Sequence, residues 1–453
     1  MTPFAGQRIA VMGLGRAGLP AARALVRYGA AVVAWDDGAA ARTEAAELPL
    51  RDLRTGDFDF DALLLSPGIP HRLPAPHPVA ARAVAAAVPI LCDAEFLFRA
   101  VRAAGSEARF IGVTGTNGKS TTTALLAHLL REAGLPVAAG ANLGPAALSL
   151  PILPDHGAYV LEMSSYMLER IATLRFNAAV MLNLSPDHLD RHGDMQGYAA
   201  AKRAIFARQN AADLAVHGVD DSWAAEMHGA SPARWRGISG ERAVPGGVWA
   251  EAGLLRDEQG PIVELARLPA LPGAHNAQNA AAAACVALDL GLSRAQVAAA
   301  LASFPGLPHR QERVGAYRGA VFINDSKATN ADAAARALAS YARVVWIAGG
   351  RAKAGGIAPL APLFPRVAQA VLIGECAESF AATLREAGVP HALAGNLERA
   401  VPAAAEAAHR LGVGTVLLSP AAASFDQFSG FEARGERFRA LVAALHAASG
   451  EAA

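Results

Sequence analysis

Cysteine is scarce in this 453-residue chain: Cys92, Cys285 and Cys376 are isolated and odd in number. That argues against a disulfide framework or a cysteine zinc site and fits reduced, buried thiols in a cytosol. Excess charge of either sign is also lacking. The net charge is +1 with acids and bases interspersed, so neither a nucleic-acid face nor a basic membrane surface is expected. No run approaches about 18 uncharged apolar residues, hence no bilayer span is expected. The N-terminal region reaches a strand by Ile9 without a signal-type apolar run, which implies a cytoplasmic protein. No repeat of solenoid period is present. What remains is ordinary globular composition, 53% hydrophobic and 18% charged, in a chain too long for one core.

Strand and helix patterns alternate along it. Arg8 to Met12 reads as a strand, Ala17 to Tyr28 as a helix ended by Gly29, Ala31 to Trp35 as a strand, and Ala62 to Leu65 as another. Such βαβ order predicts a parallel sheet with helices on its faces. Ala103 to Glu107 reads as a linker. A second unit then runs to Phe304–His309, where Pro305 and Pro308 break a helix. A third carries strands at Ala320–Ile323, Val344–Ile347, Ala370–Ile373 and Thr415–Leu418. Asp220 to Glu264 reads as short strands and turns. The expected architecture is α/β, with domains at 1–105, 106–308 and 309–453.

The most informative stretch is Arg109 to Thr123, a strand (Phe110 to Val113), a tight turn (Thr114 to Gly118) and a helix (Thr121 to Leu130). Backbone N–H groups and a helix N-terminus then converge on one spot, which favours a polyphosphate. Gly115, Thr116, Asn117, Gly118 and Thr121 would form the cradle. Lys119 would place a charge on the β/γ-phosphates and Ser120 a hydroxyl on Mg²⁺. Val113 stands where the strict phosphate-loop pattern has its first glycine. Glu162 follows the apolar run Ala158 to Leu161, and Asn183 to Asp190 follows Ala178 to Leu182. In a doubly wound sheet both would end beside the phosphate loop, where a carboxylate and the His188 imidazole suit Mg²⁺ and a phosphate. By itself Lys202 reads as a solvated lysine. Asn276 and Asn279 share a helix face at i, i+3.

Gly13-Leu-Gly-Arg-Ala-Gly18 after the first strand, with Asp36 ending the second, fits a dinucleotide site. A turn holding another diphosphate, such as that of a nucleotide sugar, fits equally, and a tight turn without ligand is the lesser alternative. Ser66, Pro67 and Gly68 follow the strand that ends at Leu65, on the same edge. Polar residues also crowd Leu307–Arg310, Asn324–Asn330 and Ser419–Gly435.

Taken in order from residue 13 to 435, these strings resemble the Mur ligases. The TGTNGKS loop, EMSS, DHLDRHG and HNAQN are those of the family at large; GLGRAGL, SPGIP, GLPHR, NDSKATN and SPAAASFDQFSGFEARG resemble its D-glutamate-adding branch. The resemblance implies a Rossmann-like N-terminal domain for a uridine nucleotide, a P-loop-type central ATPase domain and a Rossmann-like C-terminal domain for an amino acid. It implies ATP-dependent addition of D-glutamate to UDP-N-acetylmuramoyl-L-alanine through an acyl phosphate, by a cytoplasmic monomer of the peptidoglycan precursor route. Carried over by position, Lys119, Glu162, His188 and Lys202 are the catalytic set. Ser120 and Glu162 would hold one Mg²⁺, and His188 with a carbamylated Lys202 a second. A carbamate suits the latter role because an ammonium, with its pKa of about 10.4, would repel the ion. Asn276, Asn279, Arg310 and Asp325 match the ATP side. Gly15, Arg16, Ala17, Asp36, Ser66, Pro67, Gly68, Asn142 and Ser164 match the nucleotide-sugar side. Lys327, Thr329, Lys353, Ser424, Phe425 and Phe431 match the surroundings of D-glutamate, with the two rings walling the pocket.

There are four departures from the family pattern. Ala17 replaces a small hydroxyl residue, Ala141 a glycine, Met167 a glutamine, and Arg351-Ala352 an Asp-Gly pair. A nicotinamide-dependent oxidoreductase would account for the first turn and leave the phosphate loop and third unit without a role. Sister ligases adding another amino acid, L-glutamate among them, stay open, because sequence does not fix the chirality of the amino acid.

Overall fold

The computed structural model of the chain describes residues 2–352 and 355–449. These fall into two compact units, Met1–Pro269 with Ala274–Phe304, and Ala270–Gly273 with Pro305–Ala453. The first unit carries two sheets and the second carries one.

The N-terminal sheet comprises Arg8–Met12 (β1), Ala31–Trp35 (β2), Ala62–Leu65 (β3) and Ile90–Leu91 (β4), in the order β2-β1-β3-β4. All its pairs are parallel. Helices Gly18–Arg27 (α1), Ala39–Glu44 (α2) and Pro78–Ala85 (α3) supply the crossovers, and Asp93–Ala103 (α4) leads on to the next sheet. The strands are apolar because both faces are covered: Ile9, Val11, Leu63 and Leu65 are fully buried.

The second sheet has nine strands. They are Arg109–Thr114 (β5), Val137–Ala141 (β6), Ala158–Glu162 (β7), Ala178–Met181 (β8), Leu214–Gly218 (β9), Arg234–Ser239 (β10), Val248–Glu251 (β11), Leu254–Asp257 (β12) and Gly260–Glu264 (β13). The order is β13-β12-β11-β10-β9-β8-β5-β7-β6. The last two joins, β11–β12 and β12–β13, are antiparallel hairpins, which is what the weakly patterned 220–264 stretch becomes. Helices Lys119–Glu132 (α5), Ser165–Leu168 (α6), Leu189–His192 (α7), Met195–Arg203 (α8), Ser222–Ala225 (α9), Ala274–Asp289 (α10) and Arg294–Ser303 (α11) surround it. The run of small residues along α10, Ala280 to Ala284, is wholly buried, so the alanines serve close packing as well as helix propensity.

Buried polar contacts tie these two sheets together. Glu95 of α4, with no exposed surface, accepts hydrogen bonds from the N–H groups of Ala172, Thr173 and Leu174, the Thr173 hydroxyl and Arg99. So many donors to one carboxylate offset its burial and hold its pKa below the ordinary value, although burial itself pushes upward. Asp93, two residues earlier, accepts from Ala147 N–H at 2.6 Å and is pushed up to about 6 by burial.

The C-terminal unit holds Glu312–Tyr317 (β14), Ala320–Asn324 (β15), Val344–Gly349 (β16), Val367–Ile373 (β17), His391–Gly395 (β18) and Thr415–Leu418 (β19), in the order β14-β15-β19-β16-β17-β18. Helices Ala331–Ala339 (α12), Ala377–Glu386 (α13), Leu397–Leu411 (α14) and Phe431–Ser449 (α15) pack on it. Only β14 runs antiparallel. Trp346 sits at the centre, its indole N–H donating to Ser419 O at 2.7 Å. All three cysteines are free and buried. Among the described residues no helix is long and apolar enough to cross a membrane.

Candidate active site

β5 ends at Thr114 and α5 starts at Lys119, so four residues make the turn between them. Two glycines allow it. Gly118 has φ +81°, a left-handed conformation that strains a side chain, and a Cβ there would collide with Asn279 Oδ1. Gly118 is also the N-cap of α5, and no side chain caps the helix, so the positive end of its dipole meets the turn. Lys119 curls back and donates to Gly115 O at 2.9 Å and Thr116 O at 2.8 Å.

The turn is braced from the neighbouring strand and from α10. Past the end of β8, Asn183 O accepts from Thr116 N–H at 2.8 Å and Asn183 Oδ1 from Asn117 N–H at 2.9 Å. The Asn183 amide in turn donates to Gln278 Oε1 at 3.1 Å. Asn279 Oδ1 accepts from the Thr122 hydroxyl at 3.1 Å, while its amide donates to Asn276 Oδ1 at 3.0 Å. The asparagine pair on one face of α10 thus lies beside the first turn of α5.

β7 and β8 flank β5, which brings the carboxyl ends of all three strands together. Glu162, the last residue of β7, is 2% exposed. Its Oε1 accepts from the Asn142 amide at 2.6 Å, and its Oε2 is buried with no hydrogen-bond partner among the described residues. A buried carboxylate oxygen without a donor is costly unless a cation meets it. Lys202, in the last turn of α8, is not the solvated lysine that its local sequence suggests. It is 1% exposed and donates to Gly115 O at 2.9 Å and Thr114 Oγ1 at 3.3 Å. Burial, with the Lys119 charge adding to it, holds its pKa well below the usual lysine value.

His188 has φ +53° and caps α7, its N–H bonded to its neighbour Asp187 at 2.9 Å. Its ring lies 5.2 Å from Tyr166 and 6.3 Å from Tyr198. Partial burial lowers its pKa, with Lys202 and Lys119 pushing the same way against Asp187, which keeps a ring lone pair available. Among the described residues no group of three His, Cys, Asp or Glu side chains is placed to hold a metal ion.

The turn after β1 is built differently. Asp36 Oδ2 accepts from Leu14 N–H and Asp36 Oδ1 from Gly38 N–H, both at 2.7 Å. The Ser66 hydroxyl donates to Gly13 O at 2.8 Å, linking this turn to the one carrying Pro67 and Gly68. Gly18 is sterically required, since a Cβ would strike Gly13 O, whereas a Cβ at Gly15 would meet nothing within 4 Å. Ala17 is the N-cap of α1 and supplies no side-chain bond, in keeping with the missing hydroxyl; Arg16 follows Gly15 in the same turn. Ser164 accepts from Met167 N–H at 3.3 Å and caps α6. Met167 is 1% exposed, so the departure from glutamine is absorbed in the core. Ala141 takes φ +73°, a conformation in which glycine would be unstrained.

The remaining candidates lie in the C-terminal unit. Asp325, buried, accepts from the Ser419 hydroxyl at 2.8 Å and Gln311 N–H at 3.2 Å, and burial pushes it up to about 7. Arg310 adds a positive charge that favours its ionised form. The Lys327 ammonium lies 3.8 Å over the Phe431 ring, a cation–π contact, and Thr329 N–H donates to Lys327 O. Ser424 is buried at the start of a turn, but Phe425 is 65% exposed, so that ring does not wall off water within this unit. Arg351, standing where an aspartate is usual in the family, is paired with Glu375 at 2.8 Å. Lys353 lies outside the described residues. Thr114, Gln278 and Arg434 lie inside the motif strings but carry no role of their own in the sequence reading. Arg434 is 1% exposed and donates to Ser326 Oγ, Ser326 O and Ala422 O.

With this geometry in place, comparison with known proteins is informative. Residues 113–287 match the Mur ligase middle domain and residues 309–422 the Mur ligase glutamate ligase domain. A UDP-N-acetylmuramoylalanine--D-glutamate ligase from Paramagnetospirillum magneticum is 51% identical over 449 residues, covering 97% of each chain. One from Caulobacter vibrioides is 50% identical, covering 99% of this chain and 98% of that one. Among solved structures, the UDP-N-acetylmuramate-alanine ligase of Thermotoga maritima superposes with a TM-score of 0.60 at 19% identity, covering 98% of this chain and all of the other. That likeness extends the shared fold to the whole length, and the chain belongs to the Mur ligase family.

Proposed function

We propose that this chain is the ligase that joins D-glutamate to UDP-N-acetylmuramoyl-L-alanine at the expense of ATP, in the cytoplasm, with residues 1–105, 106–308 and 309–453 serving the nucleotide sugar, ATP and the amino acid. The observation that carries the reading is the convergence of Lys119, the unpartnered Glu162 oxygen and buried Lys202 on one phosphate-binding turn. Relatives of about 50% identity over nearly the full length, named for that reaction, support the choice of substrates.

A carboxylate is a poor electrophile because its leaving group would be oxide. In the proposed reaction the L-alanyl carboxylate attacks the γ-phosphorus of ATP and the bond to the β,γ-bridging oxygen breaks, giving an acyl phosphate and ADP. The amine of D-glutamate then attacks the acyl carbon and loses a proton, and phosphate leaves. Positioning and charge stabilisation of the transferred phosphoryl group carry most of such a reaction. Lys119 and the N-terminus of α5 hold the β- and γ-phosphates. Ser120 and Glu162 suit one Mg²⁺, and His188 with Lys202 a second. The unpartnered Glu162 oxygen fits a cation, and the ions would neutralise charge on the phosphates.

Lys202 suits this role only as an anion. Its lowered pKa favours the neutral, nucleophilic amine; attack of that amine on CO2 forms an N–C bond, releases one proton and leaves a carbamate. Asn276, Asn279, Arg310 and Asp325 are assigned to ATP. The turns at Gly15–Ala17 and Ser66–Gly68, with Asp36, Asn142 and Ser164, are assigned to the nucleotide sugar. Lys327, Thr329, Lys353, Ser424 and Phe431 are assigned to the amino acid.

The test is phosphate release with UDP-N-acetylmuramoyl-L-alanine, ATP and Mg²⁺ against a panel of L- and D-amino acids. Turnover with D-glutamate alone is expected. Turnover with another amino acid, L-glutamate included, would reassign the branch, and none with any would remove the reading.

A further inference from the structure

Arg170 is a buried cation that the assignment of the catalytic groups leaves without a role. It is 2% exposed, and burial lowers its pKa to about 10. No carboxylate is hydrogen-bonded to it among the described residues. Its donors go to the main chain of one turn in the N-terminal sheet: one terminal nitrogen to Leu65 O at 2.9 Å and Ser66 O at 3.0 Å, the other to Ile69 O at 2.6 Å. His71 completes the set, its Nδ1 3.3 Å away. Burial, with Arg170 adding to it, pushes His71 down to about 4, so the ring is neutral and can accept. Arg191 reaches the same turn, donating to Gly68 O at 3.1 Å while its guanidinium lies 4.4 Å over the Tyr166 ring. Four carbonyls of one short turn are thus held by two arginines, one just beyond α6 and one in α7.

The segment that carries Arg170 is itself fixed at several points. Its first residue, Glu162, ends β7 beside the phosphate loop. In its middle, Tyr166 packs on His188 at 5.2 Å and stacks on His192 at 5.5 Å. Beyond Arg170, residues 172–174 are clamped by Glu95. Residues 162–174 therefore run from the end of β7 beside the phosphate loop, through Arg170 on the Leu65–Ile69 turn, to the Glu95 clamp. An arginine fork holds carbonyls with two nitrogens at a fixed spacing, whereas a lysine offers its donors from a single point.

We infer that Arg170, assisted by Arg191, is a positioning residue that holds the Leu65–Ile69 turn at a set place relative to the phosphate loop, so that the nucleotide sugar is delivered with its carboxylate in reach of the γ-phosphate. The inference rests on the proposed function. A misplacement of the order of 1 Å at a reacting centre suffices to cost a large part of the rate. Neither guanidinium touches substrate in this role.

The experiment is steady-state kinetics of Arg170→Lys and Arg191→Gln, with the KM for each substrate measured separately. Arg170→Lys should raise the KM for the nucleotide sugar about tenfold, as for the loss of one or two charge-assisted bonds, and lower kcat. Arg191→Gln, at a more exposed site, should raise the same KM by roughly threefold, as for loss of a single bond. The KM values for ATP and D-glutamate should stay at the wild-type level in both. A merely structural role would move all three together or none, and either result overturns the inference. Should Arg170→Lys fail to fold, Arg191→Gln alone decides. An unmutated enzyme that does not turn over the nucleotide sugar would count against the proposed function instead.

Discussion

Two glycine-rich turns in this chain, Gly13–Gly18 after β1 and Gly115–Gly118 after β5, look alike as strings and differ in the charge built into them. Both follow a buried parallel strand, and both open a helix that has no side-chain cap. In the second, a lysine ammonium is folded into the turn, bonded to Gly115 O and Thr116 O. In the first, a carboxylate is folded in, and Asp36 takes the Leu14 and Gly38 N–H groups. A cation in the cradle favours a triphosphate. A carboxylate at its rim favours a hydroxyl donor, such as that of a ribose, beside a diphosphate at the glycines. The supports differ as well: Asn183, Gln278 and Asn279 brace the second turn with side-chain amides, whereas one hydroxyl, Ser66, braces the first. Glycine spacing sets the shape of such a turn, and residues far away in sequence set what it binds.

If the second turn is where phosphate is transferred, the largest effect belongs to the charge beneath it. Lys202→Ala should lower kcat by roughly a thousandfold, the upper range for removing one stabilising group, and a short carboxylic acid added to the assay should restore part of it. Full activity in the alanine variant would separate Lys202 from the chemistry. Next comes the shape of the turn. Gly118→Ala places a Cβ against Asn279 Oδ1 at a left-handed φ of +81°, which should cost about 1–3 kcal/mol of stability and raise the KM for ATP more than that for the nucleotide sugar. A thermal melt and two KM values check it; an unchanged melting temperature would show that α10 yields.

The first turn should answer with the opposite selectivity. Asp36→Ala removes the acceptor for two backbone N–H groups and, on the proposed reading, a contact to the nucleotide sugar. The expected result is a nucleotide-sugar KM raised about tenfold with the KM for ATP unchanged. Equal rises in both would mean that Asp36 supports the whole first unit and discriminates nothing.

Much of this contrast was legible in the sequence, and its missing half has a physical reason. Apolar runs such as Phe110–Val113 and Ala62–Leu65 predict strands because both faces of a parallel sheet are covered. β14 and β18 escape that reading because they are edge strands: Glu312–Tyr317 and His391–Gly395 are largely half-exposed and carry no apolar run. Glu162, Lys119 and His188 stood out through their place at strand ends. Thr114, Gln278 and Arg170 did not, because each acts through partners dozens of residues away, such as Thr114 on Lys202 and Arg170 on Leu65. Burial was the other hidden quantity. Lys202 reads as solvated until α8 is seen to press it against the phosphate loop, and Met167 reads only as a departure from glutamine until it is found in the core.

The smallest expected effect is also the cleanest separation of shape from binding. Gly18→Ala would drive a Cβ into Gly13 O and should destabilise the protein whatever the turn binds, so it says nothing about a ligand. Gly15 is different: its φ is not in the left-handed range, and an added Cβ would meet no protein atom within 4 Å. Gly15→Ala should therefore leave the melting temperature nearly unchanged, within about 0.5 kcal/mol of stability. Its backbone is nonetheless where a diphosphate would approach if the first turn takes the nucleotide sugar, since a glycine in such a turn allows close contact with the pyrophosphate. A methyl group there should raise the KM for the nucleotide sugar by roughly threefold, under 1 kcal/mol, and leave ATP untouched. An unaltered nucleotide-sugar KM in a fully stable Gly15→Ala protein would move the diphosphate away from this turn and leave Ser66–Gly68 as its seat.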